Sequence, residues 1–313
     1  MLQFQPAGFG QKSVSTDLGQ MTYYTQIDEP WRQTRSGSKQ PDDHRTILFF
    51  HNFGGGASAY EWSKVYAALA DSYTVIAPDL LGWGTSAHPP RRYTTQDYLD
   101  SIAAFVEQIS AQQAQKQQAA MPITAVASSF TAGLIARLAA AKPDLFHSLF
   151  LTCPAGFKDF GTGAGRRLPA PIINTPFLDK AIYTVGATNE FAVRNFLENF
   201  LFAQPNRLSQ ETVDAYLTSA QQPNAEYAAL AFLRGDLYFD LATYLPELTV
   251  PTAMVWGGRA QFTPVSIGRR LANLNPKAVR QFRVVSETGV LPHLEQPGVV
   301  TAFLLSWLNQ DLD

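Results

Sequence analysis

The stretch Val126-Ala127-Ser128-Ser129-Phe130-Thr131-Ala132-Gly133 holds the residue types for nucleophilic chemistry. It follows the strand-like run Pro122-Ile123-Thr124-Ala125-Val126 and opens the apolar run Leu134-Ile135-Ala136-Arg137-Leu138-Ala139. A serine among small residues at such a junction reads as a nucleophile elbow. The sharp turn lifts the hydroxyl out of the sheet and aims a helix N-terminus at a reacting carbonyl. Such a serine needs a base to take its proton and an acid to orient the base. Only five histidines are available: His44, His51, His88, His147 and His293. His44 lies in a polar loop, His88 beside Pro89-Pro90, and His147 at a helix-strand connection away from the elbow.

Other patterns carry less chemistry. Gly161-Thr162-Gly163-Ala164-Gly165 follows no strand-to-helix opening with an acidic partner at dinucleotide spacing, so it reads as a flexible connection. Arg166-Arg167 reads as a solvated pair. No Cys/His cluster has metal-ligand spacing, and no cofactor is expected. The single cysteine, Cys153, ends an apolar strand and reads as buried filler.

The elements that must position Ser129 follow from hydrophobic periodicity. Thr46-Ile47-Leu48-Phe49-Phe50, Tyr73-Thr74-Val75-Ile76-Ala77, the elbow strand and Ser148-Leu149-Phe150-Leu151-Thr152 are short, continuously apolar strands separated by helical patterns. Trp62, Val65, Tyr66 and Leu69 mark one helix; Tyr98, Leu99, Ile102, Phe105, Val106 and Ile109 mark a longer one, capped by Thr94 or Thr95. Strands of this kind alternating with helices predict a mostly parallel twisted sheet covered on both faces, an α/β fold. The alternation stops at Pro154 and resumes at Thr252-Ala253-Met254-Val255-Trp256. Between them, Phe191, Phe196, Leu197, Phe200 and Leu201 form one apolar set and Tyr227, Leu230, Ala231 and Phe232 another. The reading is a core of residues 1–154 and 246–313 with a helical cap, 155–245, inserted in it. Two edge strands are expected around Lys12-Val14 and Met21-Gln26, and the glutamine-rich 111–120 as a solvated helix end or loop.

Bulk properties set the remaining bounds. The chain has 313 residues, 46% hydrophobic and 16% charged, with 24 basic and 26 acidic residues. A net charge of -2 without a basic stripe argues against a nucleic-acid partner. No window offers about 18 uninterrupted apolar residues, so no membrane span is expected. The lone cysteine and the absence of a leader pattern at Met1–Gly10 fit a cytoplasmic protein.

Five segments, in order, resemble the α/β-hydrolase superfamily from His51 to Leu308. His51-Asn52-Phe53-Gly54-Gly55-Gly56 is similar to its HG-type oxyanion loop. Ala77-Pro78-Asp79-Leu80-Leu81-Gly82-Trp83-Gly84-Thr85-Ser86 is similar to its APDLxGxGxS segment. The elbow follows; then Val255-Trp256-Gly257-Gly258-Arg259-Ala260 resembles the strand whose WGxxD ending supplies the acid. Gly289-Val290-Leu291-Pro292-His293-Leu294-Glu295-Gln296-Pro297 resembles the GHxPHLExP loop that supplies the base. On this resemblance Ser129 is the candidate nucleophile, and the acid and base positions fall on Ala260 and Val290. Asn52 replaces the glycine after His51, and Ala127 and Thr131 replace the two elbow glycines.

The resemblance implies oxyanion donors from the backbone N–H groups of Phe53 and Phe130, with His51 and Asn52 in the same loop. Asp79 takes a structural role. His293, three residues past Val290, is the substitute base to test, and Glu287 the displaced acid. A pocket that keeps its donors but loses its proton-transfer groups favours binding over turnover. The first reading is therefore a pseudoenzyme or a binder of a small apolar carbonyl or carboxylate ligand. The alternatives are an esterase, thioesterase or lipase-like enzyme centred on Ser129, and a non-hydrolytic enzyme using the pocket and donors alone.

Overall fold

The computed structural model describes residues 2–31, 45–117, 123–161, 183–184 and 186–310. Eight strands form one sheet: β1 (Phe9–Thr16), β2 (Gly19–Gln26), β3 (Thr46–Phe50), β4 (Thr74–Pro78), β5 (Ile123–Ser128), β6 (Ser148–Thr152), β7 (Thr252–Gly257) and β8 (Val279–Val285). Their order is β1-β2-β4-β3-β5-β6-β7-β8. The first hairpin, β1 with β2, and the β2–β4 pair are antiparallel; every later pair is parallel. This is the α/β-hydrolase fold.

The strand sequences explain the layering. Every residue of β3, β5, β6 and β7 is buried, whereas β1 and β8 at the edges mix buried and exposed positions. Central parallel strands are covered on both faces, so both side-chain sets must be apolar. One face packs α1 (Ser63–Tyr66) and, at the C-terminal end, α9 (Pro297–Leu308), through Val65, Tyr66, Val300, Leu304 and Trp307. The other packs α2 (Thr95–Gln117) and α3 (Ser129–Ala141), through Ile102, Phe105, Leu134 and Leu138. Thr94 caps α2 reciprocally with Asp97: each side chain takes the other's backbone N–H, at 3.2 and 2.8 Å.

The helical spacing of Trp62, Val65, Tyr66 and Leu69 is met by a broken element. A 3-10 turn at Ala59–Trp62 runs into α1 and then into a second 3-10 turn at Ala67–Leu69. The two N-terminal strands are longer than the segments expected from sequence.

Between β6 and β7, which pair directly through Leu149↔Thr252 to Thr152↔Val255, the described residues form helices joined by turns and loops, with one isolated bridge, Phe157↔Phe239. They include α4 (Glu190–Phe196), a π-helical turn at Leu197–Leu201, α5 (Gln210–Ala220) and α6 (Ala225–Leu233). Asn189 caps α4 and Ser209 caps α5. Val193, Leu197 and Leu201 turn inward, but Phe191, grouped with that apolar set from sequence, is 78% exposed. It precedes Val193 by two residues, roughly 200° around the helix, and so sits on the outer face. After β7 come α7 (Val265–Ala272) and, before α9, the short α8 (Pro292–Glu295). No helix among the described residues is long and apolar enough to cross a membrane.

Candidate functional site

Ser129 is the hinge between β5 and α3. Ser128 is extended (φ -122°, ψ 141°), while Ser129 has φ +53°, the left-handed region that costs an L-residue free energy. Neither Ala127 nor Thr131 has a positive φ, so the turn closes without glycine at those positions and concentrates its strain on Ser129. Thr131 is fully buried, its hydroxyl has no partner, and it does not line the cavity described below. Gly133 supplies the close approach: a Cβ there would stand 2.5 Å from the Ala155 carbonyl oxygen. The Ala155 N–H in turn donates to the Ser129 carbonyl at 3.3 Å.

A cavity of about 520 Å³ opens over Ser129. Phe53, Phe157, Phe196, Phe200, Phe232, Tyr238 and Phe262 give it an aromatic lining, and Val290 lies in the same wall as Ser129. The polar side chains among the described lining residues are Asn52, Ser129, Tyr183, Tyr238 and Gln261. None is a histidine, a carboxylate, a lysine or an arginine. Burial pushes the Tyr238 phenol up to about 12 and raises Tyr183 as well, so both stay protonated at neutral pH. The Ser129 hydroxyl makes no hydrogen bond to another described residue. The same is true of the Phe53 and Phe130 N–H groups. Phe130 keeps its ring behind the site, packed on Phe53 and Phe232 at 5.0 and 5.3 Å between centroids.

Val290 is 2% exposed and its N–H donates to the Leu201 carbonyl at 2.9 Å. The loop is pinned by Glu295, which accepts from the N–H groups of Gly289, Ala203 and Gln204. Burial raises the Glu295 carboxyl against those donors. Ala260, just past β7, is buried and outside the lining, its N–H donating to Gly257 at 3.2 Å. Glu287 is not brought to the site. Its carboxylate pairs at 2.7 Å with Arg259, and both side chains are about half exposed.

The structure also does not bring His293 to Ser129. Helix α8 turns the ring away from the cavity, where it is fully buried and stacked on Trp62. Neither ring nitrogen makes a hydrogen bond, and Nε2 stands 3.9 Å from Glu61 Oε2. Burial lowers its pKa, so the ring is neutral.

His51 is likewise committed to backbone. Its Nε2 accepts from the Leu80 N–H at 3.0 Å, which leaves Nδ1–H to donate to the Asn52 carbonyl at 2.6 Å. It fixes the loop and does not line the cavity. Asn52 does line it. Asp79, fully buried, accepts from the N–H groups of Ala59 and Thr85 and holds the two loops together. His44 and residues 162–167 lie outside the described residues.

One residue escaped the sequence reading. Glu61 is fully buried, and its carboxylate accepts the Asn52 N–H, the Asn52 Nδ2–H and the Tyr216 hydroxyl. The signal was a lone acid between two core aromatics, Tyr60 and Trp62, in an otherwise apolar run. Cys153 is buried as expected; its sulfur accepts from the Gly257 N–H at 3.3 Å, and burial pushes the thiol up to about 12. Among the described residues no three potential metal ligands converge.

Comparison with known proteins adds context to this geometry. The family model described as the alpha/beta hydrolase family matches residues 47–303. The uncharacterized hydrolase YugF of Bacillus subtilis (strain 168) is 24% identical over 93% of this chain and 95% of its own length. Among solved structures, haloalkane dehalogenase DbeA from Bradyrhizobium elkani USDA94 superposes with a TM-score of 0.71 at 17% identity, covering 96% of this chain and 97% of that one. A thermophilic esterase from Thermogutta terrifontis gives 0.70 at 19%, covering 97% and 100%. An esterase and a haloalkane dehalogenase share the fold, so the fold does not choose the reaction.

Proposed function

Because the chain belongs to the α/β-hydrolase family, we propose that it uses the family's frame to bind a small apolar carbonyl or carboxylate ligand, and that it turns over esters poorly. One observation carries this reading: Val290 shares the cavity with Ser129, and no described lining residue can take the Ser129 proton at neutral pH. A serine hydroxyl without a base is a weak nucleophile. The described elements between Glu190 and Leu233 act as a cap that roofs the cavity, and the Phe53 and Phe130 N–H groups serve as donors to the ligand oxygen.

A second reading, ester or thioester hydrolysis from Ser129, is favoured by a specific observation. The strained elbow, with φ +53° at Ser129, is kept although a binding site does not need it. Intact-protein labelling with a fluorophosphonate separates the two. Only an activated serine reacts readily, so the binding reading expects no adduct over the time in which a working serine hydrolase is fully labelled. Rapid stoichiometric labelling that disappears in Ser129→Ala establishes the second reading instead.

A further inference from the structure

Resting on the binding reading above, we infer that the ligand is an uncharged carbonyl compound on an apolar, ring-bearing body, that Ser129 serves it as a hydrogen-bond donor, and that carboxylates are excluded. The donor role follows from the wall. A serine beside a base gives its proton to that base; with Val290 in the cavity and no other described acceptor on the hydroxyl, the Ser129 O–H is available to the ligand. Phe53, whose N–H makes no hydrogen bond to another described residue, lines the same cavity, so the site offers donors suited to a carbonyl oxygen, which carries two lone pairs.

Charge decides between ketone-like and carboxylate ligands. A carboxylate leaving water for an apolar cavity needs a paired cation or a dense set of donors. No described lining residue is cationic. A buried acid stands behind the oxyanion loop: Glu61 accepts from the backbone N–H of Asn52, the residue just before Phe53, at 2.9 Å. Its neighbour His293 supplies no positive charge, being buried and held neutral. An anion in this cavity finds no cation among the described lining residues to pair with. A neutral carbonyl meets only the donors.

The walls describe the rest of the ligand. Phe157 and Tyr238 are stacked with planes 24° apart, and Phe200 and Phe262 with planes 10° apart. Such paired flat faces suit ring systems. The cavity, at about 520 Å³, lies within the range that encloses a drug-sized molecule.

The test uses three probes of similar size and ring content: cyclohexyl phenyl ketone, benzylcyclohexane and 4-cyclohexylbenzoate. Equilibrium dialysis against the full chain at pH 7.5 measures each affinity. The expected order places the ketone about tenfold or more ahead of both others. Ser129→Ala lowers ketone affinity about three- to tenfold, the effect of one hydrogen bond, and leaves benzylcyclohexane unchanged. Ser129→Gly, which suits the positive φ, gives the same loss in a backbone at least as stable. Carboxylate binding as tight as the ketone's overturns the inference, as does a ketone that binds no tighter than the hydrocarbon or not at all. A carboxylate preference leaves the binding reading standing; only serine labelling or ester turnover, read in separate assays, removes that.

Discussion

The His293 imidazole lies flat on the Trp62 indole, with ring centroids 3.8 Å apart and planes 13° from parallel. This stack holds the histidine nearest in sequence to Val290 in the protein interior, in company with Glu61 rather than Ser129. Its consequence is measurable in stability. Burial lowers the His293 pKa below its ordinary 6.5, so the unfolded chain binds the proton more readily than the folded one. Stability is full above about pH 6.5 and is lost as pH falls toward the folded value, with a slope of at most about 1.4 kcal/mol per pH unit. His293→Phe keeps the stack and removes the titration. Urea denaturation of both proteins should show this slope only in the difference, wild type minus variant. Glu295 and Asp159, whose carboxyls burial raises, act with the opposite sign and cancel in that difference. A difference that is flat between pH 7.5 and 5 refutes the buried, neutral histidine.

Ser129→Gly should stabilise the protein by roughly 1 kcal/mol relative to Ser129→Ala. Glycine adopts the +53° φ without the Cβ penalty that serine and alanine share. Loss of helix propensity at this first helical residue offsets little of it, because the residue is already non-helical. Equal unfolding midpoints for the two variants would show that the turn is relaxed in solution.

Tyr216 joins α5 to the loop over the sheet. Its hydroxyl donates to Glu61, and Gly56 packs so closely that a Cβ there would lie 2.2 Å from the Tyr216 carbonyl oxygen. Tyr216→Phe removes the hydroxyl alone and should cost about 1 kcal/mol. Glu61→Ala strands the Asn52 and Tyr216 donors in the interior and should cost about 3 kcal/mol or more. If Glu61→Ala unfolds at the same urea concentration as wild type, the buried network is not formed.

The sheet was legible because its central strands are apolar on both faces, and the elbow because Ser129 sits where β5 must turn into α3. The alignment of Ala260 and Val290 with the acid and base positions came only through the resemblance, since an apolar residue in an apolar run leaves no periodic trace. Glu61 was missed for a physical reason. Its role rests on Asn52 and on Tyr216 from a distant helix, and periodicity does not report such a contact. The fate of His293 was hidden in the same way: its stack on Trp62 depends on how α8 packs against the 59–62 turn. Phe191 marks the opposite limit, a large apolar side chain that a helix turns outward.

Placing an acid at position 260 and a base at position 290 tests whether the frame supports chemistry. Ala260→Asp with Val290→His should raise ester hydrolysis at least tenfold over wild type, provided the new imidazole reaches the Ser129 hydroxyl, within about 3 Å. Adding Ser129→Ala should remove the gain. A gain that survives Ser129→Ala would assign the new activity to the introduced histidine alone.

The most direct measurement is the steady-state hydrolysis of p-nitrophenyl butyrate by the wild-type protein beside Ser129→Ala. On the proposed reading Ser129 has no base, so any residual rate comes from the backbone donors, which both proteins keep. The expected result is a kcat well below about 1 s⁻¹, the lower end of ordinary enzymes, that changes less than threefold on substitution. A wild-type kcat of roughly 1 s⁻¹ or more, abolished in Ser129→Ala, would contradict the account and make Ser129 a working nucleophile.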